Sequence, residues 1–239
     1  MQNRYTGDIG DFGKIGLLRY FERKFTLGVN WYLTPDETHN GDGRHIGYLQ
    51  NDDFCLCDQQ LWAELRRIVD SGKRRVSELE RPEVLRAKFY GRVLDFQGTP
   101  KNERALLRWE WHNMAMQALQ GSDIVFADPD NGLMVPSAEG TTKSNKFVLP
   151  FELSEYYRTG ASVIYYQHKA RRPDEFYIDQ NYQLAVSGAF PNAMAFGLKF
   201  KTTSQRYYFF LMQPRHAASI RGTIERMMDS PWKKHFEVL

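Results

Sequence analysis

The sequence predicts one three-layer α/β domain over residues 1–239, with a mostly parallel sheet ending in a C-terminal antiparallel hairpin. Three observations carry this. The apolar runs Ile124–Ala127 and 162–166 have the length and β-branched content of strands buried on both faces. A helix-length segment, Pro150–Arg158, separates them and stops at Gly160, which makes a βαβ unit whose strands run parallel through a right-handed crossover. Downstream, NAMAFGLKF and RYYFFLMQ flank a turn at 201–205, the pattern of an antiparallel hairpin over 193–213.

The composition suits a globular chain: 42% hydrophobic, 26% charged and a net charge of +3 from 32 basic and 29 acidic residues. That balance does not decide for or against nucleic acid, although Lys73-Arg74-Arg75, Lys169 with Arg171-Arg172, and Lys199 with Lys201 form short basic clusters. Such clusters suit either a solvated surface or a phosphate backbone. No window approaches the roughly 18 apolar residues of a membrane span, and MQNRYTGDIGDF lacks an apolar signal core, so a cytoplasmic protein with no membrane partner is expected. Cys55 and Cys57, one residue apart, suit neither a disulfide nor a full zinc site and are expected as buried thiols.

In chain order, GDIGDFG (7–13) leads into a helix at 14–25. A Gly-rich stretch before a helix can offer backbone N–H groups to a phosphate, but Asp8 and Asp11 oppose an anion, and Asp8 could equally cap the helix. LGVNWYL (27–33) is a strand that runs into TPDETHNGDGRHIGYL, where Asp36, Glu37, His39, Asp42, Arg44 and His45 are more titratable groups than a spacer needs. Residues 58–71 are a helix. Residues 73–96 read either as short strands, RRVSELE and GRVLDF, around a helix at 82–90, or as part of a helical insertion within about 52–120. Residues 102–120 form an amphipathic helix capped by Gly121. A polar, mobile segment to 146, a helix at 174–190 and a helix at 216–228 complete the outline.

The chemistry concentrates at GSDIVFADPDNG, residues 121–132. Asp128, Asp130 and Asn131 fall at the carboxyl end of a buried strand, where open α/β sheets form their ligand crevice; the plain alternative is a polar turn. The next parallel strand should bring Gln167 and His168 to the same edge, and an imidazole there could move a proton.

From Gly121 onward, the order of strand with Asp-Pro-Asp-Asn-Gly, helix, strand with Tyr-Gln-His, helix and antiparallel hairpin resembles the second half of the class I, Rossmann-like methyltransferases. It is most similar to those that modify amino groups of bases through an Asp-Pro-Pro-aromatic motif. Asp128 and Pro129 match its first two positions, whereas Asp130 and Asn131 replace the second proline and the aromatic that stacks on the base. The helix before the first strand also looks like methyltransferase-like partner proteins of bacterial defence and mobile loci. The resemblance implies an enzyme acting on nucleic acid, with Asp128 holding the target amine beside Asp130, Asn131, Gln167 and His168. It implies S-adenosylmethionine in the groove after Leu33, with Asp8, Asp11, Asp36, Asp42 and His45 as candidate cofactor contacts. The first half departs from the family: no glycine turn directly follows the first strand, and Gly41 and Gly43 come late.

Two other readings stay open. In a metal-dependent nuclease, Asp128 and Asp130 would hold Mg2+, while Gln167 and Lys169, which share a strand face, would supply ligand and water-orienting lysine. A binding module without catalysis on a methyltransferase-like scaffold suits the missing glycine turn.

Overall fold

In the computed structural model, which describes residues 1–37, 43–202 and 205–239, the first helix begins at a capped end. Asp8 accepts hydrogen bonds from the N–H groups of Gly10 and Asp11, and α1 (Ile9–Phe21) follows at once. It therefore starts earlier than the sequence suggests, because the Asp8 carboxylate satisfies the donors that a phosphate would otherwise take. The glycines serve packing instead. A Cβ on Gly13 would fall 2.7 Å from the Phe200 ring, and one on Gly16 would fall 2.3 Å from Trp232, so this stripe lets α1 press against its neighbours. With Phe12, Ile15, Leu18 and Phe21 fully buried, α1 is a core helix.

β1 (Leu27–Asn30) is buried along its length and ends short of Leu33, because Tyr32 takes a positive φ of 44° and turns the chain. Asn30 Oδ1 accepts from Tyr32 N–H at 3.1 Å and steadies that turn. Next come α2 (Asp52–Cys55), α3 (Gln59–Asp70), α4 (Val76–Leu79) and β2 (Lys88–Tyr90). The segment 52–120 thus supplies an edge strand parallel to β1 as well as helices. RRVSELE contains α4 rather than a strand. α5 (Arg104–Ala118) leads into β3 (Ile124–Ala127).

The segment expected to be mobile after Gly132 carries β4 (Gly132–Leu133), turns at Pro136–Ala138 and Thr142–Lys146, and β5 (Phe147–Val148), which pairs with β4. α6 (Pro150–Arg158), β6 (Ser162–His168), α7 (Asp174–Val186), β7 (Met194–Phe200), β8 (Arg206–Met212), α8 (Pro214–Met228) and β9 (Phe236–Val238) complete the chain.

The main sheet has seven strands in the order β2-β1-β3-β6-β8-β7-β9. β2, β1, β3 and β6 are parallel, and β8 enters antiparallel between β6 and β7. β3 and β6 are therefore parallel neighbours, with Ala127 opposite Tyr165, and 193–213 holds the antiparallel hairpin. One apolar cluster joins Phe126, Ile164 and Tyr208 to α1, α3 and α8. A second joins Val125, Val163, Tyr165 and Phe209 to residues of α5, α6 and α7. These are the three layers of a Rossmann-like α/β fold.

Among the described residues no helix is long and apolar enough to cross a membrane. Cys55 and Cys57 are free and half-buried rather than fully buried, and burial pushes the Cys57 thiol up to about 12.

Candidate functional site

The ends of β1, β3 and β6 and the start of β8 meet at one edge of the sheet, because Asn30 pairs with Ala127, Ala127 with Tyr165, and His168 with Arg206. A cavity of about 350 Å³ opens there, roofed by the first turns of α1. Alternation along the strands selects its floor. Tyr166 and His168 lie on the α1 face of β6, as Arg206 does on β8, whereas Tyr165 and Gln167 turn to the opposite layer.

The centre of the cavity is a buried ion cluster. Lys14 Nζ lies 2.9 Å from Asp11 Oδ1 and 2.5 Å from Asp128 Oδ2, and all three side chains are at most 5% exposed. Asp11 also accepts from the Gly7 N–H at 3.0 Å. Beside it, the Met1 amino nitrogen sits 2.5 Å from Asp130 Oδ1 and donates to the carbonyls of Tyr32 and Asp128. Gln2 Nε2 donates to Asp130 Oδ2 at 2.8 Å, and Lys146 lies between Glu37 and Asp130 at 2.6 and 3.9 Å.

Charge in this cluster does not balance. The carboxylates of Asp8, Asp11, Glu37, Asp128 and Asp130 line the cavity, against the cations of Met1, Lys14, Lys146 and Arg206. The acids thus exceed the cations by one. Burial, with Asp11 nearby, raises the Asp8 carboxyl pKa. Burial also raises that of Asp128 against the opposing pull of Lys14 and the amino group. For Asp130, burial acts upward but is outweighed by the Met1 amino group, Gln2 and Lys146, so its pKa is lowered. Burial pulls Lys14 downward, and Asp11 and Asp128 overcome it, so the ammonium stays charged.

Arg206 differs from the other cations. It is 6% exposed and faces the cavity, yet no hydrogen bond or ion pair reaches its guanidinium among the described residues, and its Nε is buried without a partner. It lies over Gly10, where a Cβ would fall 1.8 Å from its Nη1. Only glycine permits that approach. Burial acts to lower the Arg206 pKa, but Tyr166, Asp8, Tyr208 and Asp11 offset it and keep the group charged.

The cavity thus brings together Asp8, Asp11, His45, Asp128, Asp130, Asn131 and His168. Asp36 is not among its lining residues: it is exposed, and its carboxylate accepts from the Arg4 N–H. Asp42, with His39 and Gly41, lies outside the described residues. Gln167 supports the wall rather than facing the cavity: its Oε1 accepts from Leu133 N–H, and its Nε2 donates to the carbonyls of Asn131 and His168. Lys169 pairs with Asp174. The expected convergence of Gln167 and Lys169 with Asp128 is therefore not met, because Asp128 lies on the α1 side of the sheet and the Gln167 amide is engaged by Asn131, Leu133 and the His168 carbonyl.

Sequence reasoning missed Lys14, Tyr166, Lys146, Arg206 and the Met1 amino group. Lys14 carried a signal, its i,i+3 spacing from Asp11 among the apolar residues that open the helix. Arg206 carried one too, as a cation opening an all-apolar strand.

Comparison of the chain with models of known protein families and with curated proteins finds no match.

Proposed function

We propose that the chain is a methyltransferase-like enzyme that modifies an amino group in nucleic acid, with the cavity beneath α1 as its reaction centre. The observation that carries this reading is Asp128: a carboxylate at the end of β3, beside a parallel β6 and an antiparallel hairpin, that faces the cavity and is fixed by Lys14. Asp128 accepts a hydrogen bond from the target amine and orients its lone pair. Burial makes this carboxylate a better proton acceptor than an exposed one, so it suits taking the proton that the amine must lose.

The donor set also suits S-adenosylmethionine, a ligand with cationic groups, because the cavity holds one carboxylate more than its cations balance. Asp8, which no ion pair engages among the described residues, would hold one of those groups beside Asp11, whose oxygens are taken by Lys14 and the Gly7 N–H. When bound, the cofactor supplies an electrophilic methyl group. The segment just past β1 offers no glycine cradle: Trp31, Tyr32 and Leu33 are buried there, and Met1 packs against them. This is the specific observation that favours the second reading, a binding module without turnover.

The experiment is calorimetric titration with S-adenosylmethionine, paired with a methyl-transfer assay on oligonucleotides. Binding is expected in the wild type. Asp128→Asn should retain cofactor affinity within about threefold and lose transfer by roughly 10²-fold or more, the scale of a positioned acid–base group. Absence of cofactor binding would leave the module.

A further inference from the structure

We infer that Arg206 is a phosphate-binding residue, placed to take a backbone phosphate of the nucleic-acid strand whose base enters the cavity. The inference rests on the nucleic-acid reading above and names the part of the substrate that this corner of the site recognises.

Arg206 is the cavity cation that no carboxylate meets in a hydrogen bond or an ion pair among the described residues, although Asp8 and Asp11 attract it from farther off. Lys14 is held by Asp11 and Asp128, the Met1 amino group by Asp130, and Lys146 by Glu37. Asp8 is the acid nearest in space to the guanidinium's seat on Gly10, its Oδ1 lying 2.9 Å from where a Gly10 Cβ would stand, but it forms no ion pair with Arg206, and that Oδ1 is occupied by the N–H groups of Gly10 and Asp11. The Arg206 Nε, buried with no acceptor, forfeits its hydration, which is costly. A second donor on the same strand face is also unmet: the hydroxyl of Tyr208 is buried without a partner. Tyr208 does not line the cavity, so the donor a ligand would meet there is the Arg206 guanidinium, and its fork matches the paired oxygens of a phosphate.

Location selects a phosphate of a polymer. Arg206 pairs across the sheet with His168 and with Phe200, so it stands where β6 and β7 deliver Arg171, Arg172 and Lys201 to the surface. These three are exposed, and no acidic partner holds them in an ion pair among the described residues. A strand of phosphates crossing that rim would have its next phosphate over Arg206 and its base directed toward Asp128.

The test uses a fluorescein-labelled single-stranded oligonucleotide, followed by anisotropy across a salt series, with wild type, Arg206→Met and Arg206→Lys. Arg206→Met should weaken binding at least tenfold and reduce the slope of log affinity against log salt by about 0.7, the loss of one phosphate contact on a single strand, while Arg206→Lys keeps the slope. S-adenosylmethionine affinity by calorimetry should stay within about threefold in both variants. The melting temperature of Arg206→Met should equal or exceed that of wild type, because the variant removes an unpartnered buried charge; a guanidinium that only holds the fold would give a clear drop and overturn the inference. Unchanged oligonucleotide binding in Arg206→Met would overturn it while leaving the proposed function standing. Loss of cofactor affinity with oligonucleotide binding intact would reassign Arg206 to the cofactor's carboxylate. A wild type that binds no oligonucleotide would overturn both.

Discussion

Asp8 shows how one side chain can serve two levels of the structure. Its carboxylate caps α1, which favours the charged form near a helix N-terminus, yet burial and Asp11 push its pKa upward. The sign of the linkage follows. A carboxyl whose folded pKa lies above its unfolded value, about 3.9, gives its full favourable contribution below that value and loses it as pH rises through the folded pKa. Asp8→Asn retains a capping oxygen without the titration. The stability difference between variant and wild type, measured by urea unfolding at about pH 4 and about pH 7, should therefore shift toward the variant at the higher pH. A difference that stays constant between the two pH values would show that Asp8 titrates normally in the folded state.

At the scale of elements, α1 depends on its small residues as much as on its apolar ones. Gly16→Ala places a methyl 2.3 Å from the Trp232 ring, which is fully buried and cannot swing aside. The variant should lose about 1–3 kcal/mol in urea unfolding despite alanine's better helix propensity. A gain in stability would mean that α1 is loosely seated. This element also marks what the sequence made legible. The strands at Ile124–Ala127 and 162–166, their parallel pairing and the hairpin were readable, because runs of apolar residues between glycines admit few alternatives. The role of GDIGDFG was not readable, since a glycine that yields to a phosphate and one that yields to Trp232 look alike until the partner is in place. β2 was missed for a related reason: Lys88–Tyr90 falls in the segment 82–90 that reads as a helix between the strands RRVSELE and GRVLDF, it is short and alternates weakly, and its strand identity comes from pairing with β1.

The whole molecule decides what happens at the cavity, because the fold gathers carboxylates from α1 and the end of β3 and brings the Lys14 ammonium to Asp11 and Asp128 and the Met1 amino group to Asp130. A divalent ion needs carboxylate oxygens free to coordinate at about 2.0–2.6 Å. Asp128 Oδ2 already contacts Lys14 at 2.5 Å, Asp130 Oδ1 contacts the Met1 amino nitrogen at 2.5 Å, and a dication entering between them would face both positive charges. Among the described residues no group of three or more acidic, His or Cys side chains is arranged to hold a metal. Magnesium or manganese at millimolar concentration, compared with an ionic-strength-matched sodium control, should therefore leave the melting temperature unchanged, and a chelator should leave methyl transfer unaffected. Saturation of a true site at 100 times its dissociation constant would add about 2.7 kcal/mol, a rise of roughly 5–10 °C for a chain of this size, so the two outcomes are well separated. A rise of that size that disappears in Asp128→Asn would show that the metal displaces Lys14, and would restore the nuclease reading with Asp128 and Asp130 as its ligands.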